Sequence, residues 1–152
     1  MSEPDPPRSV ATAAKRLAQQ FEARGQCVAT MYDGFEAMPN AYVNGKLTLG
    51  EDIADLGGVK MAFRAYQALR AGAQKRYVAD GFDEDQQFFI AVGQAWCAKD
   101  RPEEIQRRLT IDPHSPPKFR VYGALRNLPE FARAFQCAAG TPMNPAQPCS
   151  VW

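Results

Sequence analysis

Residues 47–58 read LTLGEDIADLGG, and the interpretation of the whole chain starts from them. Glu51 and Asp55 are four residues apart, so on a helix they lie one turn apart on the same face. Gly57 and Gly58 follow directly, although each glycine inside a helix costs about 1 kcal/mol relative to alanine. The glycine pair therefore indicates that another backbone approaches this helix closely.

The carboxylate pair has two interpretations. An acidic pair of this spacing is ordinarily a solvated helix face. The helix around and beyond this pair is small and apolar instead, with Ala54, Met61, Ala62 and Ala65. Two carboxylates on a tightly packed helix need a cation or a hydrogen-bond network. A metal site supplies both, because one carboxylate binds the metal and the other orients a neighbouring ligand, usually a histidine.

Composition narrows the class of protein. The chain has 152 residues, 45% of them hydrophobic, which suits one domain or a large piece of one. Its net charge is +1, with no basic block that would indicate nucleic-acid binding. No apolar run approaches the roughly 20 residues of a membrane-spanning helix. The first nine residues, MSEPDPPRS, lack the pattern of an export signal.

The four cysteines, at positions 27, 97, 137 and 149, are widely spaced. No two form a Cys-x-x-Cys pair, which argues against a zinc ribbon or a thioredoxin-type motif. An even count favours disulfides and an oxidising compartment. Buried free thiols are the alternative.

The apolar spacing predicts a mainly α fold with long irregular loops, without a second domain, after a flexible N-terminal lead. A capping box of Thr48 with Glu51 is expected to begin the second helix. The three prolines in 110–123, TIDPHSPPKFRVYG, predict a non-helical segment there. The predicted helices span about 11–32, 48–71, 83–98 and 102–109, with a last one inside 127–137.

Residues 44–58, NGKLTLGEDIADLGG, resemble a signature of the neprilysin and endothelin-converting-enzyme family of zinc metallopeptidases. The usual form there is GENIADxGG, and Asp52 stands in place of the asparagine. The segments QQFFIAVGQAWC (86–97), DPHSPPKFRVYGALRNLPEFARAFQC (112–137) and PMNPAQPCSVW (142–152) are similar to the C-terminal part of that family. The resemblance covers roughly residues 13–152, after a flexible lead over 1–12. It implies the C-terminal helical portion of a gluzincin, or thermolysin-like, domain.

The resemblance implies a zinc site and assigns two of its residues. Glu51 matches the glutamate that is the third protein ligand of the catalytic zinc. Asp55 matches the aspartate that hydrogen-bonds a zinc-ligating histidine. This agrees with the common set of two histidines and one glutamate, whose open fourth position holds water. One of the three expected zinc ligands is thus present in this chain.

The resemblance also implies substrate contacts. His114 matches the histidine that stabilises the oxyanion of the tetrahedral intermediate, and Asp112 is placed to orient it. Arg120 matches an arginine that binds a backbone carbonyl of the substrate. Ala95 and Trp96 match the lining of the pocket for the residue after the scissile bond, where alanine is smaller than the usual residue. For Arg120 an ordinary surface arginine, and for Trp96 plain core packing, are the alternatives.

Disulfide partners for the four cysteines are implied only by the resemblance. Cys27 and Cys149 match a family disulfide that joins the start and the end of this region. Cys97 and Cys137 match cysteines whose partners lie far upstream, outside this chain.

The resemblance further implies another helix, upstream of the first one predicted here, that bears His-Glu-x-x-His. This motif provides two zinc ligands and the general base. The chain has a single histidine and cannot contain this motif. The expected function is therefore a C-terminal fragment of an extracytoplasmic zinc endopeptidase, inactive alone. Its expected partners are peptide substrates and the missing N-terminal part, which the glycine pair would contact.

Two alternatives to an active peptidase stay open at the level of sequence. The first is a non-catalytic module that binds peptides or a partner, or an inactive remnant. The second is an unrelated helical domain, in which Glu51 and Asp55 would point into solvent on opposite sides of a loop.

Overall fold

The computed structural model describes residues 8–72 and 77–151, which are mainly helical, and this confirms the expected fold class. The two strands form one antiparallel hairpin. The elements in chain order are α1 (Arg8–Asp33), β1 (Glu36–Met38), β2 (Ala41–Tyr42), α2 (Gly45–Arg70), α3 (Glu84–Ala95), α4 (Pro102–Ile111), α5 (Pro117–Leu125) and α6 (Pro129–Ala134).

The start of α2 lies directly against α1. A Cβ atom on Gly45 would lie 2.1 Å from the carbonyl oxygen of Ala29, so only glycine fits at this position. The Asp33 carboxylate accepts a hydrogen bond from the Gly45 amide at 2.7 Å. The Asn44 side chain accepts one from the Leu47 amide at 3.0 Å and caps α2.

The predicted capping box of Thr48 with Glu51 is wrong, because α2 begins three residues before Thr48. Thr48 lies in the first turn of the helix. Its hydroxyl contacts the carbonyl oxygen of Asn44 at 3.1 Å and the carboxylate of Asp52 at 2.7 Å. Thr48 therefore binds groups within α2 and does not cap it.

Two apolar clusters hold the helices together, and α2 runs through both. Burying one large apolar side chain contributes about 1.5–3 kcal/mol. The first cluster joins α1, the hairpin, α2, α5 and the C-terminal tail through Val28, Tyr32, Phe35, Val43, Ile53, Leu56, Phe119, Cys149 and Val151. The second joins α2, α3 and the end of α5 through Phe63, Phe89, Leu125 and Leu128.

The prediction that 110–123 is non-helical is wrong for most of that segment. Helix α4 continues to Ile111, and α5 begins at Pro117. Proline is accommodated at the first position of a helix because the amide it lacks would have no partner there. Only 112–116 is non-helical, and this loop contains His114.

The expected flexible lead over 1–12 is helical from Arg8 onward, because α1 begins there. Residues 1–7 lie outside the described residues. Over 10–24 the side chains of α1 are exposed, including Leu17 at 65%.

One face of α2 is exposed in this chain, which corrects its interpretation as a tightly packed surface. We call this the outer face of α2. Met61 and Leu69 on it are 66% and 83% exposed, and a Cβ atom on Gly58 would meet nothing within 4 Å. The opposite face is buried. The outer face consists of Ala54, Gly58, Met61, Ala62, Ala65 and Leu69.

The C-terminal tail is fastened to α1. Cys27 and Cys149 form a disulfide with a Cα–Cα distance of 5.8 Å, which is the pairing that the resemblance implies. Arg24 donates a hydrogen bond to the carbonyl of Val151 at 3.0 Å. Cys97, which is exposed, and the partly buried Cys137 are free thiols. Among the described helices, none has the length and apolar character needed to cross a membrane.

Candidate active site

Residues that are far apart in the sequence meet beside the first half of α2. This helix provides Glu51 and Asp55, the 112–116 loop provides His114, and α5 provides Arg120. Trp96, directly after α3, covers one side of the group. The structure thus brings together five of the six residues predicted for zinc and substrate binding.

Arg120 is the centre of this group. Its Nε and Nη2 donate to the two carboxylate oxygens of Asp55 at 2.6 and 2.7 Å. Its Nη2 also donates to Glu51 at 3.2 Å. The Asp55 carboxylate raises the pKa of Arg120 above its ordinary value. Because the Arg120 and Asp55 side chains are only 11% and 13% exposed, this bidentate pair is well shielded from water.

Trp96 fixes the guanidinium from a third direction. The guanidinium carbon of Arg120 lies 4.1 Å from the centre of the Trp96 ring, within the range of a cation–π contact. Ala95 precedes it at the end of α3 and is exposed. The interpretation of Trp96 as plain core does not describe this contact.

His114 stands between two carboxylates. Its Nδ1 lies 2.7 Å from Asp112, and its Nε2 lies 3.4 Å from Glu51. The backbone amide of His114 also donates to Asp112 at 2.9 Å, and Arg108 donates to the other oxygen at 2.7 Å. These hydrogen bonds, that of the His114 amide above all, hold the pKa of Asp112 well below its usual range. The His114 side chain is 42% exposed, so a ligand can reach it.

Sequence reasoning missed a buried polar pair next to this group. Asp52 is 0% exposed and Ser115 is 1% exposed, and the Ser115 hydroxyl donates to Asp52 at 2.8 Å. Burial raises the pKa of Asp52 to about 6. The signal available was position, because Asp52 shares the buried stripe of α2 with Ile53 and Leu56.

The described residues do not form a complete metal site. No group of three or more histidine, cysteine, aspartate or glutamate side chains there could hold a metal ion. Glu51 has a side chain that is 40% exposed and lies at the edge of the group. Its carboxylate is therefore suited to be one ligand of a metal ion that other residues also bind. Zinc accepts carboxylate oxygen as a ligand.

The site is accessible from solvent at His114 and Glu51, whose side chains are 42% and 40% exposed. A cavity of about 600 Å³ lies elsewhere, against α2, α3 and α6, and its lining includes Gln67, Asp85 and Arg133. None of the predicted site residues lines it. This cavity is therefore not part of the candidate site.

Comparison with solved structures gives the class of protein. The chain is similar to the zinc metalloprotease Zmp1 of Mycobacterium tuberculosis, solved in complex with an inhibitor, with a TM-score of 0.80 and 34% identity. The match covers 87% of this chain and 21% of that one. The fold is thus shared with part of a zinc metalloprotease.

Sequence comparisons give the family. The model of peptidase family M13 matches residues 9–151, and the chain belongs to this family. It is 43% identical over 136 residues to an endothelin-converting enzyme homolog of Locusta migratoria, covering 88% of this chain and 19% of that protein. It is 41% identical over 135 residues to Neprilysin-2 of Drosophila melanogaster, covering 87% and 17%. The resemblance drawn from the sequence is confirmed, and the chain spans about a fifth of the length of these relatives.

Proposed function

We propose that the chain is the C-terminal part of the catalytic domain of an M13 zinc endopeptidase. In this proposal it hydrolyses peptides only together with the part of the peptidase that carries His-Glu-x-x-His. Membership of the family and the similarity to a zinc metalloprotease support this proposal. The observation that carries it is the convergence of Glu51, Asp55, His114 and Arg120 on one open surface.

Glu51 is proposed as the zinc ligand of this chain. When bound, zinc supplies Lewis-acid polarisation of the scissile carbonyl and lowers the pKa of a bound water. Glu51 lies seven residues before Gly58, so it stands two turns away on the same side of α2 as the outer face. A helix that packs along the outer face would therefore meet Glu51, and the exposed small residues there leave room for it.

Asp55 and Arg120 are proposed to act together. Arg120 holds both oxygens of Asp55, which fixes the direction in which the carboxylate presents its remaining lone pairs. Asp55 can then orient a zinc-ligating histidine of the other part. Arg120 is proposed to bind a substrate carbonyl as well, and its planar fork, covered by Trp96, suits that task.

His114 is proposed as the donor that stabilises the oxyanion. Its Nδ1 faces the Asp112 carboxylate at 2.7 Å and donates to it. In the imidazolium form Nε2 also carries a proton, so the ring binds Asp112 and a negatively charged oxygen at once. A donor of this kind contributes about 3–4 kcal/mol in comparable sites.

Ala95 and Trp96 are proposed to line the pocket for the residue after the scissile bond. Both lie at the C-terminal end of α3, and the contact of the Trp96 ring with Arg120 supports this assignment. Because Ala95 is small and exposed, it leaves space for a large substrate side chain.

The test is complementation. The chain is refolded with the upstream part of the catalytic domain of an M13 relative, which supplies His-Glu-x-x-His, and peptide hydrolysis is measured with and without a zinc chelator. We expect chelator-sensitive hydrolysis in the mixture. His114→Ala should lower kcat by about 10²–10³-fold, and Glu51→Ala should abolish zinc retention and activity together.

Glu104→Ala is the matched control for Glu51→Ala. Glu104 is a glutamate on α4 that pairs with Arg107 on the surface. Its replacement should leave hydrolysis unchanged. Full activity of Glu51→Ala or His114→Ala in the assembled protein would contradict the roles proposed here.

The non-catalytic alternative is favoured by one observation, the incomplete metal site of the described residues. In our proposal the chain alone is inactive, and it then acts only through assembly. The zinc content distinguishes the isolated chain from the assembled protein. After dialysis the chain alone should retain less than one zinc ion, and the assembled protein should retain one. Chelator-sensitive peptide cleavage by the chain alone would refute its inactivity.

The site of action is proposed to be outside the cytoplasm. The support is the Cys27–Cys149 disulfide, since such bonds persist in oxidising compartments.

A further inference from the structure

We propose that the hydrogen bond between Ser115 and Asp52 is a positioning device, which sets His114 at the correct place beside Glu51. We call this hydrogen bond the clasp. The inference rests on the proposed function only for the catalytic meaning of His114. Its structural content is that the contact between His114 and Glu51 depends on the clasp.

The clasp connects two parts of the chain that are 63 residues apart. Ser115 donates to Oδ1 of Asp52 at 2.8 Å from the 112–116 loop. The side chains of both residues are buried, so water does not compete for the bond. A hydroxyl bound to a carboxylate in such surroundings is stronger than a bond between neutral groups.

The clasp lies next to the contact that it would control. Asp52 follows Glu51 on α2, and Ser115 follows His114 in the loop. Asp52 and Ser115 thus form a buried pair, and Glu51 and His114 form an accessible pair beside it. Since the buried pair is one peptide unit away, releasing Ser115 allows His114 to move away from Glu51.

The bonds that hold His114 from its other side do not fix it relative to α2. Asp112 binds the ring and the amide of His114, and Arg108 binds Asp112. These residues belong to α4 and to the same loop. They set the orientation of the ring within the loop, whereas the clasp ties the loop itself to α2. Helix α5, which follows the loop, is held to α2 separately through Arg120 and Asp55.

The chain contains a matched control for the clasp. The Thr48 hydroxyl contacts the other carboxylate oxygen of Asp52 at 2.7 Å, and Thr48 is 3% exposed. Thr48→Val and Ser115→Ala each remove one buried hydroxyl from the same carboxylate. Only Ser115 belongs to the loop, because Thr48 is part of α2 itself.

The experiment uses nuclear magnetic resonance on the 152-residue chain. His114 is its single histidine, so isotope-labelled histidine gives one set of ring signals. The measured quantity is the nuclear Overhauser effect between the His114 ring and the side-chain methylenes of Glu51. The contact between Tyr32 and Gly123 in the core serves as the check that each variant is folded.

We expect the Glu51 effect in the wild type and in Thr48→Val. Ser115→Ala should reduce it at least fivefold while the core contact persists. Asp52→Asn should retain it, since the amide oxygen still accepts from Ser115 and the amide nitrogen donates to Thr48. If Ser115→Ala does not fold, Ser115→Cys replaces it, because a thiol has a similar shape and is a weak donor.

Two outcomes would overturn the clasp: an unchanged effect in Ser115→Ala, or an equal loss in Thr48→Val. Neither outcome bears on peptidase activity. In the assembled peptidase, Ser115→Ala should lower kcat at least tenfold and change KM by less than twofold. Asp52→Asn, which keeps the clasp, should have the kcat of the wild type. If the Overhauser effect is lost while kcat is unchanged, the clasp stands and the proposed role of His114 fails.

Discussion

At the scale of the residue, three aspartates around the site lie in three different environments. Asp52 is fully buried, and burial raises its pKa to about 6. Asp112 accepts hydrogen bonds from His114 and Arg108, which lower its pKa. Asp55 is held by the guanidinium of Arg120. The function proposed for each follows from these neighbours, since the side chain itself is the same.

Asp112 makes stability depend on acidity in a defined direction. Its pKa in the folded chain is below the ordinary 3.8, so its contribution to stability is present above about pH 4 and is lost as the pH falls further. Asp112→Asn should lower the free energy of unfolding at pH 7 by about 1–2 kcal/mol, because bonds to a charged group become bonds to a neutral one. It should also flatten the decline between pH 4 and pH 2.5.

Thermal unfolding at a series of pH values measures this prediction. Glu22→Gln, on the exposed part of α1, is the control and should keep the acid dependence of the wild type. An acid limb of wild-type steepness in Asp112→Asn would show that other groups cause it.

At the scale of the element, α2 combines a buried face with an exposed one. Its buried face carries Ile53 and Leu56 into the first apolar cluster. Its outer face, with Gly58 and Met61, has no neighbour among the described residues that would explain a glycine there. In the proposed assembly, a segment that packs on this face would explain the glycine.

Gly58→Ala tests this explanation. A Cβ atom at Gly58 or at Gly50 meets nothing within 4 Å. Each replacement by alanine should therefore stabilise the chain alone by about 0.5–1 kcal/mol in urea unfolding. In complementation, Gly58→Ala should weaken assembly at least tenfold, although it stabilises the chain alone. Assembly of Gly58→Ala at wild-type strength would refute the close approach inferred from the glycine pair.

At the scale of the whole molecule, the chain is closed into a loop. The disulfide joins Cys27 in α1 to Cys149 near the end of the described chain, over a sequence separation of 122. The amide of Cys149 also donates to Asn127 at 2.6 Å. These bonds hold the tail against the first apolar cluster, which borders the candidate site through α2 and α5.

Removing the disulfide should destabilise the whole fold. The chain-entropy model assigns roughly 4–5 kcal/mol to a loop of this length, as an upper figure. Urea unfolding of Cys27→Ala/Cys149→Ala should show most of this loss. Cys97→Ser, which changes an exposed free thiol, should shift the free energy of unfolding by less than about 0.5 kcal/mol. Equal stability of the double variant and the wild type would contradict the assignment.

Local patterns were enough to predict much of this protein. Apolar spacing predicted most of the helices, and the resemblance of several segments to a known family predicted the family, which the comparisons confirm. The same reasoning failed at Thr48 and in 110–123. Whether Asn44 or Thr48 caps α2 depends on the packing of Gly45 against α1. Proline can end one helix or begin the next, and Pro117 begins α5.

The sequence identified the candidate residues in two ways: helical spacing paired Glu51 with Asp55, and the resemblance to the family added His114 and Arg120. Both kinds of signal are properties of the local chain. The tertiary structure alone decided their neighbours. It placed Arg120 on Asp55 across 65 residues and buried Asp52 against Ser115. Contacts of such sequence separation depend on how the helices pack, and those contacts shift the pKa of each aspartate away from the value that its residue type sets.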